Sequence, residues 1–223
     1  SWPQTRAEKT DYQETSHYQD VLAFIKALQV KGAPVSMRFI GASPQGRKLP
    51  LVVCARPMPA NARVAHRLKK PIVCIQANIH AGEVEGKEAA LMLLRDLSSG
   101  PLSALLDRLI LLVLPIYNID GNEQFGPQSR HRAHQLGPEQ VGVRANGQGL
   151  DLNRDYIKLE AHETQAAMKQ LFTRWDPDVF LDLHATNGTL HGYHLTYSPP
   201  LHPDVEPALL AYTRDELLTD VRS

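Results

Sequence analysis

Residues 71–86 read PIVCIQANIHAGEVEG. Pro71 to Ile79 is a short, continuously apolar run, the pattern of a strand buried on both faces of a sheet. Glu85 to Leu97 follows with helical spacing, Ala89, Leu93 and Leu97 recurring on one side. A strand therefore runs into a helix, and the junction holds His80 and Glu83. A buried strand more often ends in a turn residue than in an imidazole. Gly82 and Gly86 beside the pair are expected to supply the backbone freedom for a sharp turn.

The same alternation continues outward. Leu109 to Pro115 and Val179 to Leu183 read as buried strands, the second closing at His184. Glu160 to Trp175 reads as an amphipathic helix, and Asp204 to Leu218 as another with Asp204 at its N-cap. Gly192 to Tyr197 is expected to add a strand. Upstream, Ser16 to Gln19 fits a capping box with Ser16 as N-cap. It opens a helix with Val21, Leu22, Ile25 and Leu28 on one face, ended by Gly32. Pro34 to Ile40 and Leu49 to Ala55 form a hairpin around the turn Ser43-Pro44-Gln45-Gly46. Arg56 to Lys70 reads as loop. Residues 121–150, rich in Gly, Gln, Pro and Arg, read as a long loop of the kind that carries function. Strands alternating with helices after residue 70 predict a single domain over residues 1–223. It would be a three-layer α/β/α domain with a mixed, mainly parallel central sheet.

At 223 residues the chain is long enough to bury a sizeable core. Lys+Arg and Asp+Glu number 24 each, so no global field draws in nucleic acid or an anionic membrane. No apolar stretch approaches the ~20 residues of a membrane span. Cys54 and Cys74 lie in apolar strand-like runs and read as small buried hydrophobes; a disulfide would need the two strands apposed. The start, SWPQ, lacks a methionine. It leans toward removal of an export signal, and so toward a secreted or periplasmic protein.

Two predicted strands end in histidine, and in open α/β sheets ligands bind at the carboxyl ends of strands. Two imidazoles and one carboxylate, His80, Glu83 and His184, form a ligand set used for catalytic zinc, with a position left for water. One zinc ion is the expected cofactor. Asp182, two residues before His184, shares its face of the strand. It fits an acceptor for a ligand imidazole and equally a structural carboxylate. His191 and His194 are three apart near a predicted strand, so they point to opposite faces and are poorly placed to share an ion. His131 and His134 fall in a loop. His17, His66, His162 and His202 read as solvated.

The middle of the chain adds YNIDG at 117–121, VRANGQGLDLNRDY at 143–156 and FLDLHATNG at 180–188 to HAGE at 80–83. In order and approximate spacing these motifs resemble the zinc metallocarboxypeptidases of the carboxypeptidase A type, over nearly the whole chain. The resemblance implies that His80, Glu83 and His184 bind zinc. It implies that Asn153 and Arg154 bind the substrate's terminal carboxylate, and that Arg144 polarises the scissile carbonyl and stabilises its oxyanion. Arg130 and Arg132 lie in the same loop and are alternatives to Arg144. The implied substrate is a peptide with a free C-terminal carboxylate, cleaved by metal-activated water.

Where the pattern departs, the expectations change. The family's general-base glutamate lies well beyond the second zinc histidine, whereas this chain ends about forty residues after His184. The chain is therefore expected to be the N-terminal part of a longer catalytic domain, able to bind zinc but impaired in turnover. ATNG at 185–188 replaces the Ser-Tyr of the digestive enzymes, which leaves peptide preference open. Two further readings use the same residues: a non-catalytic zinc module that binds peptide carboxylates, and a zinc amidohydrolase acting on N-acyl amino acids.

Overall fold

The computed structural model describes residues 1–133, 135–185, 195–200 and 202–222. Two compact units are present, residues 1–188 and 189–223. In the first, α1 (Arg6–Lys9) and α2 (Tyr18–Val30) precede the hairpin of β1 (Val35–Ala42) and β2 (Lys48–Cys54). Next come α3 (Ala62–Arg67), β3 (Ile72–Ala77), α4 (Glu85–Ser99), a 3-10 turn and β4 (Ile110–Leu114). Short elements follow: α5 (Ile119–Asn122), β5 (Gly126–Pro127), α6 (Gln128–His131) and β6 (Gln140–Val141). Then come α7 (His162–Ala167), a π-helical segment Met168–Phe172, α8 (Thr173–Trp175) and β7 (Val179–Leu183). The second unit is helical, with α9 (Pro207–Ala211), a π-helical segment Tyr212–Leu217 and α10 (Leu218–Arg222).

Five strands form a mixed sheet in the order β1-β2-β4-β3-β7. β4, β3 and β7 run parallel, while β2 is antiparallel to both β1 and β4. All five residues of β4 are buried, as expected for a strand flanked by neighbours on both edges. Helices flank the sheet: α2 packs on α4 and on β1, and α7 also lies on β1. The approach of α7 is close because Gly41 has no side chain; a Cβ there would overlap the Ala166 Cβ.

Several expectations change. Ser16 does not cap α2: the helix begins one residue later, Asp20 accepts the His17 N–H at 2.9 Å, and the Ser16 hydroxyl donates to Glu88 instead. A buried carboxylate on α4 competes successfully for that hydroxyl. Arg56–Lys70 contains α3, capped by Asn61. Glu206, not Asp204, caps α9, accepting the Leu209 N–H at 2.9 Å; Pro207 at the first helical position fixes the start there. The loop 121–150 contains β5, α6 and β6. β7 is not a fully buried strand. It pairs only with β3 among the described residues, and Val179 and Leu181 are exposed. The strand expected at Gly192–Tyr197 falls largely outside the described residues, and 195–197 are not in a strand.

Cys54 and Cys74 are both free and buried. β4 lies between their strands, which places the strands about 9–10 Å apart, too far for a disulfide. Among the described residues no helix is long and apolar enough to cross a membrane.

Candidate metal centre

The parallel register of β3 and β7 pairs Gln76 with Asp182 and Ala77 with Leu183, so both strands finish at the same level. Just past that level the chain must leave β3 abruptly. Asn78 makes the turn with φ of 64°, the left-handed region that asparagine tolerates better than most residues. Its backbone oxygen accepts the N–H of Asn118 at 3.1 Å, which ties the turn to the segment after β4. Glu83 then folds back, its N–H donating to the His80 carbonyl at 2.9 Å.

Gly82 and Gly86 do not supply the backbone freedom expected of them; neither has positive φ. They supply space. A Cβ at Gly86 would meet Leu183 Cβ at 2.8 Å, and one at Gly82 would meet the Gly142 carbonyl at 3.2 Å. The first contact lets the start of α4 sit against the end of β7, which brings Glu83 to His184.

His80, Glu83 and His184 converge. One ligand atom from each lies within 4.8 Å of the others. The two oxygens of Glu83 face the two rings separately: Oε1 is 2.9 Å from His80 Nδ1 and Oε2 is 3.0 Å from His184 Nδ1. The Ala185 N–H also donates to Oε2 at 2.9 Å. Burial opposes ionisation of Glu83, but the contacts from His184, His80 and the Ala185 amide outweigh it and hold its carboxyl well below the usual range.

The far side of each ring meets another carboxylate. His80 Nε2 lies 3.0 Å from Asp151 Oδ1, and His184 Nε2 lies 3.1 Å from Asp182 Oδ2. Asp182 first, then Glu83, push the imidazolium of His184 up to about 10. Between each Nδ1 and the Glu83 carboxylate a proton or a cation must sit. One divalent cation would serve both gaps, and two imidazoles with one carboxylate match the donor set of zinc. Nε2–H bonds to outer carboxylates leave both Nδ1 lone pairs directed at that point. The residues present therefore fit a zinc ion.

Arg144 stands beside this cluster, with Nη1 3.2 Å from His80 Nδ1 and 4.0 Å from Glu83 Oε1. Its Nε donates to Asp151 Oδ2 at 2.9 Å, and its backbone carbonyl accepts the Asn118 amide at 2.9 Å. Arg132 lines the same cleft of about 220 Å³, but its Nη2 is paired with Glu85 Oε1 at 2.7 Å. Arg130 is exposed on α6 and does not line the cleft. Asn153 and Arg154 lie on the turn just after Asp151, whose Oδ1 accepts the Asn153 N–H at 3.0 Å. Arg154 is exposed. Among the described residues it pairs with no carboxylate, and its Nη1 donates to the neighbouring Asn153 carbonyl at 3.0 Å.

Asp151 was not singled out as a site residue in the sequence. It sits two residues before Asn153, in LDLN, and could be found only by asking which carboxylate faces the outer nitrogen of His80. Asn78 was missed as well; its signal was an asparagine between a strand and His80. Of the other histidines, His17 stacks on Phe125, while His131 lines the cleft beside the cluster and donates to the Val141 carbonyl at 3.0 Å. His134, His191 and His194 fall outside the described residues.

Comparison with known proteins gives one consistent result. The profile of the zinc carboxypeptidase family matches residues 21–213. Carboxypeptidase 2 of Trichophyton tonsurans is 32% identical over 145 residues, which are 64% of this chain and 23% of that protein. The chain thus spans about a quarter of the length of the curated relatives it matches. Among solved structures, a metallo-carboxypeptidase from Burkholderia cenocepacia superposes with a TM-score of 0.59 at 22% identity, covering 80% of this chain and 43% of that one. Carboxypeptidase A from Helicoverpa armigera gives 0.59 at 18% identity, over 78% and 47%. At these identities the structural likeness is one of fold.

Proposed function

This chain belongs to the zinc carboxypeptidase family, and from that premise we propose that it carries the zinc-binding and carboxylate-reading part of a peptidase that removes C-terminal residues. The observation that carries the reading is the convergence of His80, Glu83 and His184 within 4.8 Å with Arg144 Nη1 3.2 Å from one of them. His80 Nδ1, Glu83 and His184 Nδ1 would hold the ion. Bound there, zinc supplies Lewis-acid polarisation of a carbonyl and a water acidified toward neutrality.

The remaining work falls to the protein's own side chains. Arg144 presents a guanidinium where the carbonyl oxygen gains charge, and one preorganised donor of that kind lowers the barrier by about 3 kcal/mol. Asp151 keeps it in place: it grips Nε and leaves Nη1 facing His80 and Glu83. Arg154, which pairs with no carboxylate among the described residues, is available to hold the terminal carboxylate of a peptide in a two-pronged contact alongside the Asn153 amide. The fork selects a free C-terminus, because an amidated end offers a single neutral oxygen in place of two that share a charge. A non-catalytic zinc module and an amidohydrolase for N-acyl amino acids would draw on these residues too. The relatives named carboxypeptidase favour the peptide.

Two binding measurements test the reading on the chain as it stands. Zinc should be retained through dialysis at one ion per chain, and a His80→Ala protein should lose it. The zinc-loaded protein should bind a short peptide with a free C-terminus more tightly than its amide, and Arg154→Ala should erase the difference. Equal zinc in His80→Ala and parent would overturn the metal assignment. Equal affinity of parent for acid and amide would overturn carboxylate recognition.

A further inference from the structure

The cluster has a second layer on the β7 side that the zinc reading does not require. Asp182 precedes His184 by two residues, so the two side chains project from the same face of the strand. Its Oδ2 lies 3.1 Å from His184 Nε2. Its Oδ1 accepts the Gln76 amide at 3.2 Å, and the same amide nitrogen donates to the Tyr156 hydroxyl at 2.7 Å. Gln76 is fully buried in β3, directly opposite Asp182 in the parallel register. A buried polar side chain on a central strand is costly unless its groups are paired. Here the Gln76 amide nitrogen donates to both Tyr156 and Asp182, and the second oxygen of Asp182 accepts from His184 Nε2.

We propose that Asp182, braced by Gln76 and Tyr156, is a positioning residue that fixes the proton of His184 on Nε2 and thereby points its Nδ1 lone pair at the metal. This rests on the metal reading above. His184 needs such a brace more than His80 does. His80 is 4% exposed at its side chain, whereas His184 is 30% exposed and follows a strand that pairs only with β3 among the described residues. An imidazole that open can rotate or exchange tautomers, and either movement turns the wrong nitrogen toward the ion. A carboxylate against Nε2 resists both. Asp182 is in turn held against rotation by an amide that the sheet register places beside it. Tyr156 lies two residues after Arg154, so the same network connects the metal-side histidine to the segment proposed to bind the substrate carboxylate.

The test uses zinc affinity, not turnover. Parent and Asp182→Asn are compared by competition with a chromophoric chelator, with thermal melting of both metal-free proteins as the control for folding. The expected result is a 10–100-fold loss of zinc affinity in Asp182→Asn. Equal affinity in a folded Asp182→Asn overturns the proposal. A second measurement needs no variant: long-range proton–nitrogen spectra of the zinc-loaded parent, labelled at histidine, should show His184 carrying its proton on Nε2 and its metal on Nδ1. The reverse assignment overturns the proposal even where Asp182→Asn does not fold. A parent that takes up no zinc removes the metal centre itself and this inference with it. That outcome is distinguishable, because it is seen before any variant is made.

Discussion

Asp120 is the best place to perturb the scaffold beneath the candidate site. Its side chain has no exposure, and it sits in the YNIDG turn between Asn118, which holds the Arg144 carbonyl, and Asn122, which accepts from buried Lys87. The carboxylate accepts from the Ser43 hydroxyl at 2.7 Å, from the Gln45 N–H at 3.0 Å and from Arg47 Nη1 at 2.7 Å. It thus fastens the β1–β2 hairpin turn to the segment that follows β4. Asp120→Ala strands all three donors. Hydrogen bonds to a charged group contribute about 1.5–3 kcal/mol each. The Arg47 contact is discounted because that side chain is 31% exposed and partly solvated. The other two bonds, with a donor left buried, give an expected loss of about 3–5 kcal/mol. For a unit of this size each kcal/mol moves the melting temperature by about 2–4 °C. Asp120→Ala should therefore melt roughly 10 °C below the parent. Arg47→Ala removes one partner while the carboxylate keeps its Ser43 and Gln45 donors, so it should cost less than Asp120→Ala. Circular dichroism melts of both proteins, with urea titrations for the free energies, decide the matter. An Asp120→Ala protein within about 2 °C of the parent, or an Arg47→Ala protein as unstable as Asp120→Ala, would refute the assignment of the stabilisation to the Ser43 and Gln45 donors.

Lys87 is fully buried, its ammonium donating to the Ser16 carbonyl and the Asn122 side chain, and burial lowers it to about 8. Below that pH the folded state bears the cost of a buried cation. Between about 8 and 10.5 the folded protein has released the proton and the unfolded chain has not, so Lys87's contribution to stability rises with pH, by about 3 kcal/mol at most. His184, raised to about 10, acts in the opposite sense as pH climbs. The comparison is therefore between parent and Lys87→Met at each pH, and a difference that does not change from pH 7.5 to 10.5 would count against the shift. Gly121→Ala should destabilise by about 1–3 kcal/mol, since its Cβ would meet the Ala145 carbonyl and the Asn118 amide at 2.6 Å; a neutral result in urea titration contradicts that packing. Burial pushes both the Cys54 and Cys74 thiols up to about 12, so neither should react with an aromatic disulfide reagent at pH 8 until the protein is unfolded. Rapid modification of two thiols in the native state would show that the core is open.

The sequence by itself determined the order of strands and helices and the residue types that carry chemistry. Short continuous apolar runs read as strands, and the ends of two of them carried His80 and His184, although β7 proved only partly buried. HAGE and LDLH are local patterns, so the sequence singled out His80, Glu83 and His184, which the structure brings together; Arg144, Asn153 and Arg154 were pointed to only by the resemblance. What the tertiary structure alone decided was which atoms face one another. The parallel register of β3 and β7 sets Gln76 against Asp182, residues 106 apart in the chain, and no periodicity encodes that pairing. The two outer carboxylates, the closeness that Gly86 allows, and the diversion of Ser16 from its helix to Glu88 are likewise contacts between distant segments. Local patterns report what each stretch of backbone prefers; partners brought together by packing are fixed only when the sheet closes its register and the buried polar groups must find one another.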